Sequence, residues 1–332
     1  GASMSTILIT GGAGYIGSHV ARQLGDRGED LITLDNLSTG FRSAVLHGEF
    51  VPGDTGDATL LLRLLAAHRV DTVLHFAAHI SVPESVADPL KYYRNNTANT
   101  RTLLECCVAA GVRNFVFSST AAVYGMPAGG SASEESPTVP INPYGWSKLM
   151  SERMLADVAA AFPLRYVALR YFNVAGADPA GRIGQSTPEA THLIKVACQH
   201  ATGTRAQVAI YGTDYETEDG TGVRDFIHVE DLASAHLKAL DYLRAGGSST
   251  TLNCGYGRGF SVREVLDQVA RVAGKPLRIV ESARRAGDPP RLIAEAKRIR
   301  ERLGWQPQHQ DLEGIVRSAF AWEQRLLRQP PA

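Results

Sequence analysis

The chain has 332 residues, 44% of them hydrophobic and 20% charged, which excludes disordered and fibrous classes and leaves room for two domains or one large α/β unit with an appended lobe. Lys and Arg number 34 against 34 Asp and Glu, so the net charge is zero; with no basic block, nucleic acid is not an expected partner. No stretch approaches the roughly 18 apolar residues that span a bilayer, and no basic-then-apolar leader opens the chain, so a cytoplasmic protein without a membrane partner is expected.

Gly1, Ala2 and Ser3 ahead of Met4 read as an expression scar, outside the fold. Short apolar runs at 6–10 (TILIT), 31–35 (LITLD), 71–76 (DTVLHF) and 113–118 (RNFVFS) then alternate with longer helical patterns. That alternation predicts parallel strands joined by helical crossovers, and the lack of polar alternation within the runs predicts helices on both faces of a doubly wound sheet. A further run lies at 165–171 (RYVALRY), followed by Gly- and Pro-rich stretches at 173–188 and 212–224, predicted to be loops over a site. Helices are predicted over 261–273 and 311–327, the first opened by a capping box of Ser261 and Glu264. Cys106, Cys107, Cys198 and Cys254 show no metal-ligand or disulfide spacing and read as buried thiols in a reducing compartment. The expected fold class is therefore α/β, with residues 4–173 forming a parallel-sheet domain and 174–328 mainly a smaller α/β lobe, from which later strands can return to the main sheet.

The first strand runs directly into Gly11, Gly12, Ala13, Gly14, Tyr15, Ile16 and Gly17 and then into a helical pattern. In that context the glycines allow a tight turn, a close approach of backbone to a pyrophosphate and close helix–strand packing, with the helix N-terminus facing the phosphates. Asp35 ends the second strand 18 residues past Gly17, where a carboxylate can accept both ribose hydroxyls of an adenosine and repel a 2′-phosphate. NAD is therefore the expected cofactor and 4–173 its domain.

Tyr144 and Lys148 follow Pro143 at i and i+4 on one helix face. An ammonium near a phenol favours the phenolate, so the pair reads as a proton-transfer device. Ser118, Ser119 and Thr120 end a strand, where hydroxyls can meet a substrate oxygen.

On the motifs GGAGYIGSH (11–19), LDNLSTG (34–40), YGWSK (144–148), LRYFN (169–173) and TEDGTGVRDFIHVEDLA (217–233), the chain resembles the extended short-chain dehydrogenase/reductases, and within them the UDP-galactose (UDP-glucose) 4-epimerases. The resemblance implies a Rossmann-type fold, a tightly held NAD, a UDP-sugar substrate inverted at C4 through a transient 4-keto form, and a homodimer. It assigns Tyr144 as base at the sugar 4-hydroxyl, Lys148 as its electrostatic partner and a ribose ligand, and Thr120 as hydroxyl helper. Cofactor contacts are implied at Gly11, Gly14, Tyr15, Ile16, Gly17, Asp35, Asn36, Ser38, Thr39 and Ser118. Phe76, Ala77 and Ala78 would pass under NAD, with Asn95 and Tyr171 near the nicotinamide and Asp54 and Thr55 near the adenine. Asn173, Arg224, Arg285 and Asp288 would hold the UDP portion, with His192, Leu193, Ile210 and Tyr211 at the substrate and Leu292 beside the sugar 2-position.

Ile80 stands where the family often has lysine and His192 where it often has asparagine; leucine at 292, in place of the tyrosine of some strict members, leaves room for N-acetylated sugars. Dehydratases of the superfamily typically carry Asp and Glu after the strand-end threonine; Ala121 and Ala122 follow Thr120 here, which ranks elimination low. UDP-xylose/UDP-arabinose 4-epimerisation and a noncatalytic NAD(H)-binding role are the alternatives. His75 and His79 read as packing and loop residues, and no metal site is expected.

Overall fold

The computed structural model describes residues 5–332; the expected scar at residues 1–3 and the expected start of the first domain at Met4 lie outside them. In chain order the N-terminal part comprises β1 (Thr6–Thr10), α1 (Tyr15–Asp26), β2 (Leu31–Asp35), β3 (Glu49–Pro52), α2 (Ala58–Ala67), β4 (Val70–His75), α3 (Val82–Ala87), α4 (Pro89–Tyr92), α5 (Asn99–Ala110), β5 (Asn114–Thr120), β6 (Ser131–Ala132), α6 (Pro143–Ala161) and β7 (Arg165–Tyr171). It continues with β8 (Asn173–Ala175), α7 (Leu193–Thr202), β9 (Val208–Tyr211), β10 (Val223–Arg224), β11 (Phe226–His228), α8 (Val229–Arg244), β12 (Thr250–Cys254), β13 (Phe260–Ser261), α9 (Val262–Ala273), β14 (Ile279–Ser282), β15 (Arg291–Ala294), α10 (Lys297–Leu303) and α11 (Leu312–Arg328).

Seven strands form one parallel sheet in the order β12-β7-β5-β4-β1-β2-β3. Successive residues point to opposite faces. Ile7 and Ile9 of β1 therefore join Val20, Leu24, Leu232 and Leu240 of α1 and α8, while Leu8 joins Leu61, Leu103 and Leu155 of α2, α5 and α6 on the other side. Both faces are thus buried, which is why these strands read as unbroken apolar runs.

Two strands of this sheet are absent from the expected set. β3 (EFVP) is a half-exposed edge strand ending in Pro52, tolerated there because its outer side needs no partner. β12, drawn from within 174–328, pairs with β7 at the opposite edge, so the chain returns to the main sheet after leaving it. The two stretches expected to be loops hold short strands: Asn173–Ala175 pairs in parallel with Phe226–His228, and Val223–Arg224 lies in a mixed sheet of order β13-β10-β15-β6. α7, α9 and α11 pack together over the lobe's end of the core.

Between α4 and α5 the helix widens into a π-helical stretch over Tyr93–Ala98, a rare form often found beside functional sites. All four cysteines are buried and free. Among the described residues no helix is long and apolar enough to cross a membrane, and no cluster of His, Cys, Asp or Glu could hold a metal ion.

Candidate active site

The turn after β1 is built so that only glycine fits at its tightest points. Gly11 sits at φ +72°, and a Cβ there would lie 2.6 Å from the Ala77 amide nitrogen; one on Gly17 would lie 2.3 Å from the Gly11 carbonyl oxygen. Gly14 caps α1 without a side-chain bond, leaving the first-turn amides open to an anion. Asp35 ends β2 beside this turn, and its carboxylate accepts from the Ala13 amide at 3.0 Å and the Leu37 amide at 2.8 Å. Burial pushes that carboxyl up, while the two amides pull it down. Open helix amides, a cradle that a Cβ would fill and an adjacent carboxylate fit a dinucleotide bearing a free ribose diol.

Of the other expected cofactor residues, Asn36, Ser38 and Thr39 form an exposed turn after Asp35, with the Ser38 amide donating to the Asn36 side chain at 3.0 Å. Thr55 is buried; Asp54 is exposed and accepts from Gly56 and Asn99. Ile16 packs on the core, and the Tyr15 hydroxyl donates to the Gly176 carbonyl at 2.6 Å, joining the glycine turn to the loop after β8. The Phe76 and Ala77 amides donate to the Thr10 hydroxyl, which holds 76–78 across the end of β1. Phe76 and Tyr171 both pack on His236, and the Tyr171 hydroxyl is hydrogen-bonded to its Nε2. Asn95 donates to the Lys91 carbonyl of its own helix at 2.8 Å. Its neighbour Asn96, which sequence reading missed, is buried: it brackets the His79 backbone from both sides and donates to Ser147 on α6 at 3.1 Å.

Tyr144 and Lys148 belong to the first turns of α6, which starts where it does because Pro143 suits its first position and Asn142 accepts from the Gly145 amide at 2.8 Å. Tyr144 is half-buried and edge-on to Tyr92. The surrounding protein pushes its phenol up to about 12, against a hydrogen bond from Thr120 that pulls it down. Lys148 is buried, lies 5.0 Å over the Phe117 ring and donates to the Ser118 carbonyl at 2.8 Å. Burial draws its pKa down to about 7, with Glu152 pulling it back up. This differs from the expected simple depression of the tyrosine by its lysine. The same desolvation acts on both groups, and the ammonium that should favour the phenolate is itself disfavoured.

Of the residues expected on the substrate side, Arg224, Arg285, Asp288, Tyr211 and Leu292 come together on the lobe. Arg224 and Leu292 are opposite one another in the β10–β15 pair. The Arg224 guanidinium, largely buried, lies in the field of Asp288, Tyr215 and Arg285; Arg285 donates to Asp288 at 2.8 Å and covers the Tyr211 ring at 4.7 Å. Asn173 begins β8 and is half-buried, donating its amide to the Asp225 carbonyl. His192 is exposed at the N-cap of α7 and Leu193 is half-buried beside it. Ile210 points into the main core, 1% exposed, whereas Tyr211 is turned out, as strand alternation requires. Ile80 is exposed.

Asp225, another residue missed in the sequence, is fully buried and accepts from the amides of Tyr256, Gly257 and Ala294, tying β10 to the end of β15; burial pushes its carboxyl up to about 6. An acid directly before the apolar pair Phe226 and Ile227 was the available signal.

A profile of the NAD dependent epimerase/dehydratase family matches residues 7–255. The UDP-glucose 4-epimerase of Azospirillum brasilense is 60% identical over 326 residues, 98% of this chain and 94% of that protein. The crystal structure of UDP-glucose 4-epimerase from Brucella ovis in complex with NAD superposes with a TM-score of 0.93 at 46% identity, covering 96% of this chain and 98% of that one. The UDP-Glc/GlcNAc 4-epimerase of Campylobacter jejuni superposes at 0.86 with 49% identity, covering 97% and 99%.

Proposed function

We proceed from the fact that the chain belongs to the NAD dependent epimerase/dehydratase family, as an NAD-dependent UDP-sugar 4-epimerase, and propose how its residues divide the work. NAD, when bound, would supply the acceptor and then the donor of a hydride at the sugar carbon. Gly11, Gly14 and Gly17 let the backbone approach the pyrophosphate, and Asp35 accepts the adenosine ribose hydroxyls. Tyr144 takes the proton of the sugar 4-hydroxyl and later gives it back, with Thr120 bonded to its phenol and Lys148 supplying positive charge. Arg224 and Arg285 hold the diphosphate as planar donors, so that binding energy from the unreactive end fixes the molecule and leaves the hexose free to turn over.

The observation that carries this division is the meeting of Tyr144, Thr120 and Lys148 at the carboxyl end of β5, beside the turn that closes β1 and β4. The test is to incubate the purified protein, without added nicotinamide, with UDP-galactose, UDP-N-acetylgalactosamine and UDP-xylose separately and to separate the products. Conversion of the first to UDP-glucose is the expected result. Turnover of UDP-xylose alone would favour a pentose substrate, and silence of all three even with added NAD would favour a noncatalytic NAD(H)-binding role.

Acceptance of N-acetylated sugars is part of the same reading. Leu292 offers less bulk than tyrosine beside Arg224, and the name of the Campylobacter jejuni relative includes GlcNAc. A homodimer through α5 and α6 is supported by an open groove of about 440 Å³ between them, whose lining combines Leu104, Val108, Met154, Val158 and Phe162 with the charged Arg101, Glu105 and Asp157. Four free, buried thiols support a reducing, cytoplasmic setting.

A further inference from the structure

One turn beyond Lys148 on α6, Glu152 is buried against the central sheet. Arg170 of β7 grips both its carboxylate oxygens, Nε donating to Oε2 at 3.1 Å and Nη2 to Oε1 at 2.7 Å. The Ser119 hydroxyl donates to Oε2 at 2.5 Å, and Ser119 stands opposite Arg170 in the β5–β7 ladder. Ser118, the preceding residue, holds the Lys148 ammonium through its carbonyl. Ammonium and carboxylate are thus fastened to successive residues at the end of one strand. The network continues outward. Arg170 Nη1 donates to the Tyr124 hydroxyl at 3.0 Å, that hydroxyl is bonded to Asn253 Oδ1, and Asn253 Nδ2 donates to the carbonyls of Ala132 at 2.8 Å and Glu295 at 3.2 Å. Those carbonyls belong to β6 and to the residue after β15, the strand that carries Leu292.

A buried ion pair is a poor source of stability, because desolvation offsets its attraction, so this one calls for another reason. Lys148 provides it. Its ammonium is taken out of water, and a lysine near neutrality in charge supports a phenolate weakly. The titratable groups around Lys148 and Glu152 are Tyr144 on α6, His75 at the end of β4, Arg170, Tyr166 and Tyr171 on β7, and Tyr124 in the turn after β5. His75 is held neutral by burial between Thr10 and Thr100. Glu152 is the only carboxyl group in this set, and Arg170 and Ser119 hold it in place.

Resting on the roles given above to Tyr144 and Lys148, we propose that Glu152, clamped by Arg170 and Ser119, is a positioning residue that keeps the Lys148 ammonium charged and seated on the Ser118 carbonyl, and that Arg170, Tyr124 and Asn253 tie this charge to the sugar-side strands. It touches neither sugar nor cofactor. Its influence passes through Lys148, and so it is read in the pH dependence of the reaction.

The experiment compares the wild-type holoenzyme with Glu152→Gln in the pH profile of UDP-galactose conversion. The onset of the Tyr144 phenolate is followed in parallel by ultraviolet difference absorbance against Tyr144→Phe. In Glu152→Gln the alkaline limb of kcat moves down by about one pH unit, so kcat beyond the limb falls about tenfold with KM nearly unchanged, and the phenolate appears at higher pH. Glu152→Asp restores part of the shift. Should Glu152→Gln fail to fold, with Arg170 left buried and uncompensated, the charge-neutral Glu152→Gln/Arg170→Gln pair shows a smaller shift in the same direction, because loss of the Arg170 cation offsets part of the loss of the carboxylate. A folded, active variant whose limb and phenolate onset stay at the wild-type positions overturns the proposal. A wild-type protein that interconverts no UDP-sugar overturns the functional reading beneath it instead.

Discussion

Alanine at Gly17 tests the cofactor cradle more directly than any other single change. The new methyl would sit 2.3 Å from the Gly11 carbonyl oxygen and 3.0 Å from both the Gly11 carbonyl carbon and Gly12 Cα, all backbone atoms. Non-bonded heavy atoms settle at roughly 3.5 Å, so the turn must withdraw from α1 by about 1 Å. Overpacking of this size costs about 1–3 kcal/mol of stability. The shift also removes at least one amide from an anionic phosphate, a bond worth about 1.5–3 kcal/mol, so NAD affinity falls about 10- to 150-fold. Gly14→Ala is the internal comparison: its nearest neighbour, again the Gly11 oxygen, would be 3.3 Å away, which a few tenths of an ångström relieve. The assay measures NAD content after purification, calorimetric affinity for added NAD, and recovery of turnover at saturating NAD. A Gly17→Ala protein that keeps its NAD as the wild type does would refute the cradle.

Tyr144→Phe is expected to retain NAD and lose about 10²- to 10⁴-fold in kcat, measured on UDP-galactose; near-normal turnover would contradict its role as base. Leu292→Tyr should lower kcat/KM for UDP-N-acetylgalactosamine more than for UDP-galactose, and equal losses would remove the steric argument. Lys195 on α7 and Glu323 on α11 form a buried ion pair, with Lys195 also donating to the Gln185 carbonyl at 2.6 Å. Glu323→Gln leaves the ammonium without its charge partner and should cost about 3–5 kcal/mol in denaturant unfolding. His19 and His236 are buried and held neutral, each with its pKa lowered to about 4 by desolvation. Because the unfolded chain binds those protons from about pH 6.5 downward and the folded chain does not, stability is full above about 6.5 and falls by about 2–3 kcal/mol per histidine as pH drops toward 4. A melting temperature that stays flat from about pH 6.5 to 4.5 would contradict this.

The strands β1, β2, β4, β5 and β7 were legible because each is apolar on both faces, a property of the residues themselves. The edge strand β3 was not, since a strand with one open side needs no such pattern, and Glu49 and Pro52 hide it. The glycine turn, Asp35, and the Tyr144 and Lys148 spacing were equally local, resting on backbone sterics and on the helical repeat. Arg170 inside an apolar strand was a visible anomaly whose partner no spacing could name, because Glu152 reaches it only through the register of β5 and β7 beneath α6.

Sequence alone therefore determined what each segment can do locally: which runs form strands, where the chain turns, and which side chains can move a proton or grip a phosphate. The tertiary structure decided how strongly they do it. The charge of Lys148, the neutrality of His236 and the anchoring of β15 by Asp225 all depend on how much water is excluded and which distant group arrives in its place, and both are set only when remote strands come together.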